Sequence, residues 1–147
     1  MRILINDKKH LPAAAKKIIS LASGKKHFAF YGAMGSGKTT VGEDLARRTG
    51  APFVDLDEII ARKSGTSIAD IFRCAGEEAF RALEDSALKE TAAQGDPSCV
   101  VATGGGLPVN PLNRKLMKSC GSIVYLKSSF ENLELRIARD GSRPLWN

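Results

Sequence analysis

No stretch of this 147-residue sequence approaches the ~20 consecutive apolar residues that a membrane-spanning helix requires. The N-terminal run Met1-Arg2-Ile3-Leu4-Ile5-Asn6 is too short for a signal peptide, and Asp7-Lys8-Lys9 interrupts it. A cytoplasmic location is therefore expected. Cysteine is scarce. Cys74, Cys99 and Cys120 make an odd count with no Cys-x-x-Cys, so neither a disulfide framework nor a zinc site is indicated, and buried thiols are expected. His10 and His27 lie apart and suggest no joint role. No five consecutive charges share a sign, which excludes a basic nucleic-acid tail. Internal repeats and low-complexity linkers are also lacking.

What is present describes one folded domain. Hydrophobic residues make up 43% and charged residues 26%, ordinary values for a chain that buries a single core. Lys and Arg number 22 against 16 Asp and Glu, and the net charge of +6 favours anionic partners such as nucleotides and carboxylated metabolites.

Apolar segments alternate with helical patterns. Met1–Asn6 reads as a short strand. Leu11, Ala14, Ala15, Ile18, Leu21 and Ala22 recur at helical spacing, and Ser23-Gly24 closes that helix. His27–Tyr31 is a strand leading into a glycine-rich turn, and a helix over 38–49 ends at Gly50. Pro52–Asp57 is the next strand. Helical segments follow at 57–63, 67–74 and 76–93, broken at Gly65 and Gly76, with Phe80, Leu83 and Ala87 as the apolar stripe of the longest. A strand at Cys99–Ala102, a helix near 110–119, a strand at Ser122–Leu126 and a helix at 129–139 complete the series. Such alternation predicts an α/β fold with a parallel sheet covered by helices on both faces, and ligands at the carboxyl ends of its strands.

Gly32-Ala33-Met34-Gly35-Ser36-Gly37-Lys38-Thr39 satisfies G-x-x-x-x-G-K-[ST] between a predicted strand and a predicted helix. Glycines let consecutive backbone N–H groups turn toward a phosphate, and the helix N-terminus adds partial positive charge. Lys38 is placed to reach the β- and γ-phosphates, and the Thr39 hydroxyl to bind Mg²⁺.

Three further features are ambiguous alone. Asp55 and Asp57 would share one face at a strand end, one holding Mg²⁺ through water and the other accepting a proton; equally, Asp57 would serve as a helix cap. Arg81 would grip a carboxylate with its guanidinium fork, or pair on the surface with Glu77 or Asp85 one turn away. Gly104-Gly105-Gly106 would admit a ligand close to the main chain, or form a mobile turn.

In combination the chain resembles shikimate kinase. The resemblance rests on Met34 to Gly42, Phe53-Val54-Asp55-Leu56-Asp57, Ser67 to Phe72, Gly76-Glu77-Glu78-Ala79-Phe80-Arg81, Gly104-Gly105-Gly106 and Arg143-Pro144-Leu145, and covers residues 27–147. It implies a P-loop NTPase three-layer sandwich like that of nucleoside-monophosphate kinases. The implied activity is ATP-dependent phosphorylation of the 3-hydroxyl of shikimate, on the route to aromatic amino acids. Gly35, Ser36, Gly37, Lys38, Thr39 and Thr40 would bind ATP. Thr39 would ligate Mg²⁺ directly and Asp55 through water. Asp57 would bind substrate hydroxyls and act as base. Arg81 would pair with the substrate carboxylate, and Gly104, Gly105 and Gly106 would contact the ring. Arg143 would meet the ATP phosphates from a lid. The implied partners are ATP and shikimate, with no nucleic acid or membrane, and the implied state is a monomer.

Two departures from the family pattern shape the domain reading. The sequence stops at Asn147, inside the expected lid, and the resemblance implies a C-terminally truncated fold without the second substrate-binding arginine, the last strand and the adenine loop. Before the phosphate loop lies an added strand–helix unit, residues 1–26, preceding a kinase domain at 27–147. The Met1–Asn6 strand is expected to cover a sheet edge. This N-terminal part is also similar to the start of the ATPase subunit that supports threonylcarbamoyl-adenosine modification of tRNA. A nucleotide-binding accessory ATPase, a catalytically impaired fragment and a related small-molecule kinase acting on gluconate are the alternative functions.

Overall fold

In a computed structural model of the chain, residues 2–4, 11–21, 28–32, 36–94 and 99–127 are described. The expected helix at 129–139, Gly35 and Arg143, expected in a lid, lie outside them. The elements run β1 (Arg2–Leu4), α1 (Leu11–Leu21), β2 (Phe28–Tyr31), α2 (Lys38–Thr49), β3 (Phe53–Asp55), α3 (Leu56–Ser64), α4 (Ile68–Ala93), β4 (Val100–Ala102), a 3-10 turn (Leu107–Val109), α5 (Pro111–Cys120) and β5 (Ser122–Lys127).

The strands form one parallel sheet in the order β1-β5-β2-β4-β3. Alternation along each strand divides its side chains between two cores. Val100, Val124 and Leu126 face α1 and α2, meeting Ala14, Ala15, Ile18, Val41, Leu45 and Ala46. Val101, Ala29 and Ile123 face the opposite way, meeting Leu56, Ile60, Phe80, Leu88, Leu107 and Met117. The result is the expected sandwich of helix, sheet and helix. The N-terminal strand takes an edge position, with Arg2, Ile3 and Leu4 in register with Tyr125, Leu126 and Lys127 of β5.

The chain leaves β2 toward β3 and β4 on one side and reaches β5 on the other. That reversal opens a crevice beyond the carboxyl end of β2, where α/β sheets bind ligands. The phosphate-loop sequence begins there, at Gly32.

The expected break at Gly76 is present: α4 consists of two helical stretches meeting at a kink, where Gly76 takes φ 79° and ψ 177°, a conformation that suits glycine alone. Three expectations need correction. Leu83 is 37% exposed. The inward stripe of α4 runs through Phe80, Glu84, Ala87 and Leu88, because the i, i+4, i+7 spacing from Phe80 selects residue 84. Cys74 and Cys120 are exposed thiols, and only Cys99 is half-buried. Asp57 is not on a strand, since β3 ends at Asp55. Among the described residues no helix is long and apolar enough to cross a membrane.

Candidate active site

Two loops and one helix build the site at the carboxyl ends of β2, β3 and β4. The phosphate-loop side starts α2 directly after Gly37, and the first helical bond runs from Val41 N–H to Gly37 O at 2.9 Å. The amides of a helix's first turn have no acceptors within the helix and point outward. The Lys38 ammonium donates to Gly32 O at 2.9 Å. Ser36 is fully buried. Thr39 and Thr40 are exposed at the helix start, and the Thr39 hydroxyl donates to Asp55 Oδ2 at 3.1 Å.

Asp55 does two things. One carboxylate oxygen meets Thr39, and the other caps α3, accepting from Asp57 N–H at 3.0 Å. The cap role expected of Asp57 thus belongs to Asp55, because the helix begins at Leu56. Asp57 sits in the first turn of α3 and turns toward the triple glycine.

A side chain on that glycine turn, after β4, would meet side-chain ends of α4, which would have to shift. A Cβ on Gly104 would collide with Glu84 Oε1 and lie 3.6 Å from Asp57 Oδ1. A Cβ on Gly106 would sit 2.5 Å from Arg81 Cζ. Gly105, between them, is exposed. The turn therefore brings Asp57, Glu84 and Arg81 around one short backbone segment.

Arg81 is held from two sides. Its Nε and Nη2 donate to Glu77 Oε1 at 3.2 and 2.8 Å, and its Nη1 donates to Glu84 Oε2 at 2.6 Å. The surface pair with Glu77 exists, while Asp85 binds elsewhere. Sequence reasoning missed Glu84. Its signal was a carboxylate four residues beyond Phe80 and three before Ala87, on the apolar stripe. Glu84 is 1% exposed, and its Oε1 has no hydrogen-bond partner among the described residues. An acceptor left so in the interior costs free energy unless a ligand or water reaches it.

Burial pushes the Glu84 carboxyl above its usual range; the Arg81 guanidinium opposes the shift, and the charges of Asp57 and Asp85 reinforce it. A raised carboxyl pKa means that the folded state holds the proton more tightly, so this group's contribution to stability declines as pH climbs through the window opening at about 4.5. Glu84→Gln removes that titration. The stability of the native sequence relative to Glu84→Gln is expected to fall between that pH and neutrality, read from denaturant midpoints. A constant difference would show that Glu84 titrates normally.

No group of three or more His, Cys, Asp or Glu that would hold a metal occurs among the described residues. The Thr39 hydroxyl and the Asp55 carboxylate converge as a two-oxygen pair, the donor set suited to a hard cation that keeps most of its waters.

Comparison with known proteins bears on this geometry. A family model described as shikimate kinase matches residues 34–147. The shikimate kinase of Paracidovorax citrulli is 45% identical over 114 residues, which covers 78% of this chain and 62% of the relative. That of Cupriavidus pinatubonensis is 43% identical over 125 residues, covering 85% and 64%. A solved structure titled as shikimate kinase from Acinetobacter baumannii in complex with shikimate aligns with a TM-score of 0.77 at 38% identity, over 89% of this chain and 70% of that one. The chain spans about three fifths of the length of these two curated relatives. A match starting within the phosphate loop and running through Asp55, Arg81 and the triple glycine, on a sheet of the same fold, means that the chain belongs to the shikimate kinase family.

Proposed function

We propose that this chain transfers the γ-phosphoryl group of ATP to the 3-hydroxyl of shikimate. One observation carries the reading: the junction of β3 and α3 presents Asp55 to the phosphate-loop Thr39 and, two residues on, Asp57 to the glycine turn beside Arg81. A phosphate site and a site for an acidic polyol are thereby joined through three consecutive residues. The relative of known structure was solved with shikimate, a carboxylated ring with neighbouring hydroxyls.

In this mechanism residues 35–40 bind the phosphates, with Ser36 and Gly37 shaping the loop and the amides of Lys38, Thr39 and Thr40 aimed at the anion. Lys38 leaves the Gly32 carbonyl for the transferring group and balances its charge. Thr39 and Asp55 would hold Mg²⁺, which when bound neutralises charge on the phosphates. Asp57 accepts the hydroxyl proton and orients the ring. Arg81, already fixed by Glu77 and Glu84, receives the carboxylate without reordering its side chain. Arg143 is proposed to meet the phosphates from the lid. The assigned location is the cytoplasm and the assigned state a monomer.

The test varies acceptor and residue together. ADP release is measured with shikimate, with gluconate and with neither. Shikimate-dependent release is expected; release with gluconate alone would make the chain a different small-molecule kinase, and acceptor-independent release an ATPase. Arg81→Ala is expected to weaken shikimate binding about 10–100-fold, the loss of one charge-assisted contact, with little change for ATP. Equal weakening of both ligands would remove Arg81 from the substrate site.

A further inference from the structure

The turn that packs on Arg81 is itself held by a polar network that the proposed reaction does not use. Helix α4 carries Asp85 one turn beyond Arg81. Both carboxylate oxygens of Asp85 accept from side-chain amides of the segment after the triple glycine: Oδ2 from Asn110 at 3.1 Å, and Oδ1 from Asn113. Asn113 is 2% exposed, and the same Nδ2 donates to Leu107 O at 3.2 Å. The next residue, Arg114, donates through Nη1 to Pro108 O at 2.6 Å and Val109 O at 2.8 Å. Three consecutive carbonyls, 107 to 109, are thus captured by two consecutive side chains of α5. Asn110 also caps α5, its Oδ1 accepting from Leu112 N–H at 2.9 Å.

The consequence for the site is geometric. Helix α4 touches the loop twice, at Gly106 through Arg81 and at Asn110 and Asn113 through Asp85. A Cβ on Gly106 would collide with the guanidinium, so the backbone of the turn lies against Arg81. A turn free to move would either press Arg81 out of its carboxylate clamp or withdraw the backbone from the ring. We infer that Asp85 and Asn113 are positioning residues that set the spacing between Arg81 and the Gly104–Gly106 turn, and hence the affinity for a carboxylated polyol. The inference deepens the proposed function and rests on it.

Calorimetric titration of the full chain with shikimate and, separately, with ATP tests it on Asp85→Ala, Asn113→Ala and the double variant. Each single variant is expected to weaken shikimate about tenfold, with ATP affinity within about twofold. The double variant is expected to fall short of the product of the single effects, because the two substitutions share the Asp85–Asn113 bond. Thermal midpoints are recorded alongside, since a purely structural clamp would lower them and leave shikimate affinity of the folded protein unchanged. That result overturns the inference, as does a double variant showing the product of the single effects. If Asn113→Ala does not fold, half-buried Asn110→Ala supplies the arm, and its unchanged shikimate affinity would likewise overturn it. Native chain that binds ATP but not shikimate defeats the proposed function and this inference together. Native chain that binds shikimate with indifferent variants defeats the inference alone.

Discussion

Lys38→Ala is expected to reduce shikimate-dependent turnover roughly 10²–10³-fold, the loss typical of one preorganised charge on a developing anion. The structure explains why the fold should survive. Lys38 is half-buried at the first position of α2, and the core contacts of that helix come from Val41, Leu45 and Ala46. Among what the folded state loses is the bond from its ammonium to Gly32 O, worth about 1.5 kcal/mol at this partly exposed position. Single-turnover rates with saturating ATP and shikimate measure the effect, with circular dichroism confirming the fold. Turnover within a factor of ten of the native chain would exclude Lys38 from the transferring phosphoryl group.

The second large effect concerns α1. Ile18 is fully buried in the core shared with Val41 and Leu45 of α2 and with Val124 and Leu126 of β5. Ile18→Ala is expected to cost about 2–5 kcal/mol, from lost transfer energy and the cavity left behind. For a domain of this size that lowers the melting midpoint by roughly 5–15 °C. Ile19→Ala, at a position 40% exposed, should stay within about 0.5 kcal/mol. We propose the division at residues 26 and 27 as a boundary of sequence pattern only. One unfolding transition displaced by Ile18→Ala is the outcome a shared core requires, and a separate melting step for the first 26 residues is the outcome an independent unit requires.

The sequence showed the frame of this fold plainly, and the site unevenly. Helix α2 was legible to the residue because the phosphate-loop signature fixes its start at Lys38 and Gly50 in the left-handed region fixes its end. The strand–helix alternation gave the parallel sheet, but strand order depends on which strands pair across the chain, which no local pattern records. The roles of Asp55 and Asp57 were blurred because a strand end and a helix cap share the same residue types within ±2 positions. Arg81 looked like a surface residue because its local partner, Glu77, is real; its other partner, Glu84, shows only once the stripe through Phe80 and Ala87 is phased correctly. Asp85 was miscast as a neighbour of Arg81, since i+4 spacing is silent about amides arriving from another helix.

The pairing of Arg2–Leu4 with Tyr125–Lys127 sets a schedule for synthesis on the ribosome. The first of the described strands in chain order has its only described partner strand near the other end of these elements. At translation speeds of about 5–20 residues per second, it waits roughly 6–25 s for that partner. Meanwhile α1 can already dock on α2, so the Arg2–Leu4 segment is tethered by a helix before it is zipped into a sheet. Nascent chains stalled before Ser122 would therefore show a protected α1 and an Arg2–Leu4 segment still open to protease.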